Sequence, residues 1–267
     1  MNRFKLKDIA FSYSPDVSIF EGLDLTFDSQ TTAIVGQNGA GKTTLVKIMK
    51  GLLKPSKGTL SIDGESIADQ TAAQLAKRVG LVFQNPNDQI FKTNVLEEVM
   101  FGPLNIGFSR FEAEKGAREA LKKVGLESKV SDNPYDLSLS ERKLIALASI
   151  LAMDTEMVIF DEPTTGQDFA GKEKIKAIIN ELKAEGKLIL CILHDMDFAA
   201  DVFERTVVLN QGEVILDGQT RDVFPEKNVL EKAYLEQPYV TQIAQALGYN
   251  DSFIHESELV AFLNNKK

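Results

Sequence analysis

Eight consecutive residues, Gly36-Gln37-Asn38-Gly39-Ala40-Gly41-Lys42-Thr43, follow the spacing G-x-x-x-x-G-K-[ST]. A loop of that composition binds phosphate. Its glycines let the backbone curl so that successive N–H groups point inward, and a helix starting at its end adds a favourable dipole. Lys42 is then expected to reach the β and γ phosphates of ATP. The Thr43 hydroxyl would take a coordination position on Mg²⁺, with Thr44 beside it. A second candidate is the acidic pair Asp161-Glu162, which directly follows the apolar run Val158-Ile159-Phe160. Two carboxylates at a strand end gain nothing structural by being there, whereas a metal site uses both. Asp161 is expected to hold Mg²⁺, and Glu162 to polarise the attacking water as general base.

Three further residues have the right position for the same chemistry. His194 ends the apolar run Leu188–Leu193 and precedes a helix-like segment. Alone it reads as a capping or core histidine; with the other motifs it reads as a γ-phosphate contact at the same sheet edge. Gln84 follows Val79-Gly80-Leu81-Val82-Phe83 and is polar at another strand end, able to reach Mg²⁺ or the water. Tyr13, 23 residues before Gly36, offers a ring to stack on adenine, with Phe11 as its competitor on the same strand face.

The elements that must position these residues are legible from periodicity. Residues 4 to 11 and 23 to 28 alternate like antiparallel strands, and Thr31–Val35 is a short apolar strand ending at Gly36. The spacing predicts a helix from Lys42 to Met49, closed by Gly51. The apolar runs 79–83, 157–160 and 188–193 read as strands of a buried, largely parallel sheet. Between Asn85 and Asp154 the strand signal disappears, and two helices are expected, about 111–124 and 141–152, flanking a loop at Ser131–Ser140. Val207–Leu209 and Val214–Leu216 flank Asn210-Gln211-Gly212-Glu213 as a hairpin, and short helices follow Thr220.

Composition bounds the function. The 267 residues are 43% hydrophobic, enough for a sizeable core. Thirty Lys and Arg against 39 Asp and Glu leave a net charge of −9, so no broad nucleic-acid footprint is expected. The single cysteine, Cys191, lies in an apolar run and reads as a small buried hydrophobe. His255 has no chemical context and reads as a surface residue. Met1-Asn2-Arg3-Phe4-Lys5 lacks the apolar core of a secretion signal, and no uncharged stretch approaches the roughly 20 residues needed to span a bilayer. A cytoplasmic chain is expected, with any membrane role supplied by a partner.

Taken in order, Tyr13, the glycine loop, Gln84, Leu137-Ser138, Asp161-Glu162, Asp168 and His194 resemble an ABC ATPase over about residues 4 to 218. Phe83-Gln84-Asn85-Pro86-Asn87-Asp88-Gln89-Ile90-Phe91 and Gln237-Pro238-Tyr239-Val240-Thr241-Gln242 are similar to energy-coupling factor ATPases of the cobalt and vitamin uptake type. The resemblance implies an α/β P-loop NTPase fold of ABC type, with an antiparallel β subdomain, an inserted helical subdomain and a helical C-terminal tail. The corresponding domains are an ATPase domain at 1–218, with its insert at about 85–155, and an extension at 219–267.

By the same resemblance, two ATPase subunits sandwich two ATPs and drive a transmembrane coupling subunit that holds a substrate-binding membrane subunit. The second ATPase subunit is expected to be a different, paralogous chain. The assembly would attach peripherally to the cytoplasmic face of the cell membrane, take up a vitamin or transition-metal ion and bind no nucleic acid. Gln84 would sense nucleotide state, Ser138 would meet the partner's γ-phosphate and Asp168 would cross the dimer interface. The tail would pair the subunits or simply cap the domain.

One departure stands out. The family signature reads Leu-Ser-Gly-Gly-Gln or Glu, whereas this chain has Leu137-Ser138-Leu139-Ser140-Glu141. Ser138-x-x-Glu141 also reads as a capping box, needing no ligand. Ser140 carries a Cβ where the family brings a bare backbone near phosphate, so the ATP site completed by this signature is expected to turn over more slowly.

Overall fold

Alternation sets the first layer. Along the N-terminal strand Phe4, Leu6, Ile9 and Phe11 point inward, with Asp8 at positive φ marking a break in register between Leu6 and Ile9. The computed structural model describes residues 3–249 and 253–265, so Met1, Asn2 and parts of the predicted tail lie outside the described residues.

In chain order the elements are β1 (Phe4–Ser14), β2 (Val17–Phe27), β3 (Thr32–Val35), α1 (Lys42–Met49), β4 (Lys57–Ile62), β5 (Glu65–Ser66), α2 (Ala72–Leu75) and β6 (Val79–Val82). Then come α3 (Val95–Ile106), α4 (Arg110–Lys123), α5 (Leu139–Leu151), β7 (Met157–Asp161), α6 (Phe169–Ala184) and β8 (Leu188–Ile192). The chain ends with α7 (Met196–Val202), β9 (Arg205–Asn210), β10 (Glu213–Gln219), α8 (Thr220–Val223), α9 (Lys227–Lys232), α10 (Tyr239–Ala246) and α11 (Glu256–Asn265). Two compact units result, one of Met1–Leu45, Lys54–Ser66 and Ile192–Lys267, the other of Val46–Leu53 and Ile67–Cys191.

In the first unit β2-β1-β4-β5 form an antiparallel sheet, and β10-β9-β3 run side by side with β3 parallel to β9. The hairpin β9–β10 turns at Gln211 and Gly212, both at positive φ, as a tight two-residue turn requires. β1 and β2 extend past their predicted ends because antiparallel pairing continues out to Ser14 and Val17. In the tail, α10 and α11 close a small core of Val240, Ala244, Phe253 and Leu259. His255 is only partly exposed, its Nδ1 3.7 Å from Asp201.

In the second unit β8, β7 and β6 are neighbours, with β6 parallel to β7 and every residue of the three strands buried. Continuous apolar runs form such strands because both faces are covered. The helical stretch has three helices rather than the expected two. α3 is additional, capped by Asn94 and stopped by Gly107 in the left-handed region. Gly102 and Pro103 inside it mask its periodicity, while Val95, Val99 and Met100 bury its inner face. No helix among the described residues is long and apolar enough to cross a membrane.

Candidate functional site

The sequence-derived residues fall into two groups, one in each unit. In the first unit, β3 feeds the glycine loop and α1 begins at Lys42. A Cβ at Gly36 would lie 2.2 Å from the Leu209 carbonyl oxygen, so only glycine fits where the loop passes β9. The loop is braced on the hairpin: Gln37 Nε2 donates to Asn210 Oδ1 at 3.2 Å, and Gly212 N–H donates to the Ala40 carbonyl at 3.1 Å. Lys42 is buried, and its ammonium donates to the carbonyls of Gly36 at 2.6 Å and Gln37 at 3.0 Å. Asn38 and Gly39 are exposed, Gly41 is buried, and Thr43 is half-buried in the first turn of α1.

Tyr13 and Phe11 separate clearly. Phe11 is 8% exposed and belongs to the core, whereas Tyr13 is 56% exposed and its hydroxyl lies 3.2 Å from Thr44 Oγ1. The two rings meet edge to face at 5.0 Å, so Phe11 backs Tyr13, and Tyr13 is the exposed ring of the pair. Leu193 N–H donates to the Ile34 carbonyl at 3.2 Å, which brings exposed His194 alongside the strand that ends at the loop.

In the second unit, Val82 of β6 pairs with Phe160 of β7, so both strands deliver their first polar residues at one edge. There Gln84 Nε2 donates to Glu162 Oε2 at 2.6 Å. Glu162 has φ +50°, a conformation that costs a non-glycine residue about 1–3 kcal/mol and persists only where its surroundings impose it. Three donors do so. Lys143 Nζ reaches the Glu162 carbonyl at 3.3 Å, Thr165 N–H reaches the same carbonyl at 3.4 Å, and Thr165 Oγ1 reaches the carboxylate at 3.3 Å. Burial pushes the Lys143 ammonium down, and the charges of Glu162 and Asp161 oppose that shift. Asp161 is buried at the end of β7. Cys191 is fully buried, and burial together with the Asp161 charge pushes its thiol up, keeping it protonated.

Ser138 is the N-cap of α5 and forms the expected capping box. Its hydroxyl accepts from Glu141 N–H at 3.2 Å and donates to Glu141 Oε2 at 2.7 Å; that second bond, with the Ser138 N–H bond to the same oxygen at 2.9 Å, holds the Glu141 carboxyl below its usual range. Asp168 caps α6, accepting from Gly171 N–H at 2.8 Å. Both residues are exposed. Sequence reasoning passed over Lys143, Thr165 and Gln167. Lys143 was the findable one, because it heads the apolar run Leu144–Leu151 of α5, and a lysine buried there needs a partner.

The donors fit the expected ligand. In the second unit the oxygens of Asp161 and Gln84 are of the hard type Mg²⁺ takes, and in the first unit Lys42 and the loop amides are of the type that suits phosphate.

Residues 20–165 match the family model described as ABC transporter. The chain is 36% identical to the energy-coupling factor transporter ATP-binding protein EcfA of Methanocaldococcus jannaschii, over 92% of this chain and 89% of that protein. Among solved structures it is similar to cbiO1 of Clostridium perfringens, part of the ABC transporter complex cbiONQ. There the TM-score is 0.77 and the identity 32%, over 92% of this chain and all of the other. It is similar also to the ATP-binding cassette MJ0796 in a post-hydrolysis state bound to ADP and Pi, at TM-score 0.74 and 28% identity over 81% of this chain and 98% of that one. A glycine-rich loop bridging strand and helix, strand-end acids on a buried parallel sheet and this likeness along nearly the whole chain agree: the chain belongs to the ABC transporter ATP-binding family and is an ABC ATPase.

Proposed function

We propose that this ATPase powers an energy-coupling factor importer from the cytoplasmic face of the cell membrane, taking up a vitamin or transition-metal ion through membrane partner subunits. The observation that carries this reading is an apolar groove in the second unit, about 360 Å³, lined by Leu81, Phe83, Phe91, Phe101, Ile106 and Met153. Phe91 and Phe101 stand exposed at its mouth, edge to face at 4.6 Å, with Lys92 Nζ over both rings. Lys50 also lines it, its ammonium bonded to the Val79 carbonyl and its pKa lowered by burial to about 8.

The occupant proposed for the groove is an amphipathic helix of the transmembrane coupling subunit. Phe83 lines the groove and is bonded in sequence to Gln84, so pressure there is felt at the Gln84–Glu162 hydrogen bond. The likeness to cbiO1, part of cbiONQ, supports a membrane partner. A second ATPase subunit, a paralogous chain, completes the pair. The tail at 219–267 is its proposed contact, through Tyr239, Ile243 and Leu247, which are exposed at i, i+4 and i+8 on and just past α10.

In this reading Lys42 and the amides of 36–43 hold the triphosphate, Tyr13 stacks on adenine, and Thr43, Asp161 and Gln84 are the Mg²⁺ ligands. Bound Mg²⁺ would neutralise charge on the phosphate oxygens. Glu162 takes a proton from the attacking water, His194 contacts the γ-phosphate, and Ser138 and Asp168 act across the subunit pair.

Affinity purification of the full-length chain from membranes should bring down two integral membrane subunits and a second ATPase. Phe91→Asp with Phe101→Asp should release the membrane subunits while ATP binding stays intact. Recovery of the wild-type chain without membrane subunits would sink the importer reading.

Tyr13→Ala should weaken nucleotide binding about 5- to 100-fold with little discrimination among purines, because stacking on an aromatic ring is worth about 1–3 kcal/mol and every base offers a π face. Titration with ATP and GTP checks it. Unchanged affinity would remove Tyr13 from the site.

A further inference from the structure

The two residues that replace glycine in the signature both lean on the loop that follows Glu162 in their own subunit. Ser140 Oγ donates to Gln167 Oε1 at 2.7 Å, and Gln167 Nε2 returns a longer bond to the Ser140 carbonyl at 3.4 Å. Leu139 lies against Gly166, where a Cβ would stand 3.8 Å from Leu139 Cδ2. The Gln167 side chain is enclosed: the residue is 9% exposed, and a Cβ on Gly171 would come within 2.3 Å of its amide oxygen. One turn further along α5, Lys143 donates to the Glu162 carbonyl. One face of the helix therefore grips the loop at both ends, at Glu162 and at Gln167.

We propose that Ser140 and Gln167 form a latch within one subunit that fixes the start of α5 to the loop 163–168 and so positions Glu162 for hydrolysis. Glycine at 140 would leave a buried amide oxygen without its hydroxyl donor, the kind of loss that costs more than the bond itself contributes. The serine thus has a task within its own subunit. The latch acts through Glu162 and touches no nucleotide at the site that holds Glu162, so Ser140 and Gln167 are positioning residues for that site. It rests on the assignment of Glu162 as base in a two-subunit ATPase, and it joins the segment bearing Ser138 to the segment bearing Asp168, both assigned to the subunit pair.

The test is a double-mutant cycle in the assembled complex, with the partner's own base changed to glutamine so that only the site holding this chain's Glu162 turns over. Ser140→Gly and Gln167→Leu should each lower kcat about 3- to 10-fold, the effect of one hydrogen bond, and leave KM for ATP unchanged. The double variant should be no slower than either single one, and Ser140→Thr should restore the rate. Additive losses, or a Ser140→Gly protein with wild-type kcat, would overturn the latch. In the isolated full-length chain, amide hydrogen exchange at 164–167 should speed up equally in both single variants. Unchanged exchange there overturns the latch whatever the assembly does. If ATP fails to pair the subunits even when both bases are glutamine, the two-subunit reading fails separately, and hydrogen exchange still decides the latch.

Discussion

Glu162→Gln should bind ATP with near-native affinity and lose hydrolysis about 10²- to 10⁴-fold, the usual cost of removing a general base. The substitution is close to isosteric. Gln84 Nε2 now donates to Glu162 Oε2 at 2.6 Å, and a glutamine oxygen can accept the same bond, as it can the bond from Thr165 Oγ1. The backbone restraints on residue 162, from Lys143 and Thr165, involve its carbonyl and survive the change. What disappears is the negative charge that draws a proton from water. Folding, nucleotide binding and subunit pairing should therefore persist, and ATP trapped without hydrolysis should hold the pair together. Steady-state phosphate release, ATP titration and light scattering on one preparation measure all three. Phosphate release near the wild-type rate would remove Glu162 from the role of base.

Much of this site is legible in the sequence because its motifs are contiguous. The loop Gly36–Thr43 and the strand-end acids Asp161-Glu162 each occupy one short stretch, and a strand fully buried on both faces announces where its first polar residue must emerge. The hairpin at Gln211-Gly212 was readable for the same local reason. What escaped is tertiary or internally contradictory. α3 carries Gly102 and Pro103 in its own interior and is held by burial of Val95, Val99 and Met100, which outweighs poor local propensity. β4 escaped because its first half, at Lys57 to Thr59, is exposed and only Leu60 and Ile62 face the core. The Ser140–Gln167 pair spans 27 residues, and nothing in either segment marks the other.

The signature shows how a local reading can be right and still incomplete. Ser138-x-x-Glu141 is a capping box, as its spacing requires, and the same helix turn carries a second bond, from Ser140, that only the folded chain reveals. The residues standing in place of the glycines therefore give the segment contacts within its own subunit that glycine could not make.

Lys42→Met should lose ATP affinity about 10²- to 10⁴-fold and be effectively inactive at ordinary ATP concentrations. A hydrogen bond to a charged group contributes about 1.5–3 kcal/mol, and Lys42 is assigned two phosphate contacts, so about 3–6 kcal/mol of binding goes with the ammonium. That ammonium donates to the Gly36 and Gln37 carbonyls of its own loop. These bonds place it within the loop, where phosphate oxygens would be stronger acceptors than neutral carbonyls. Methionine keeps the length and apolar stem of the buried lysine and removes only the donor, so the thermal midpoint should move by no more than the loss of two carbonyl bonds allows. Arginine should not rescue, because its planar fork cannot follow a tetrahedral point contact in a loop this closely packed. The deficit should be larger for ATP than for ADP, since Lys42 reaches both β and γ phosphates. Calorimetric titration with each nucleotide measures that difference. Equal affinities of wild type and Lys42→Met for ATP would show that the loop amides alone carry the phosphate, and would take Lys42 out of the binding site.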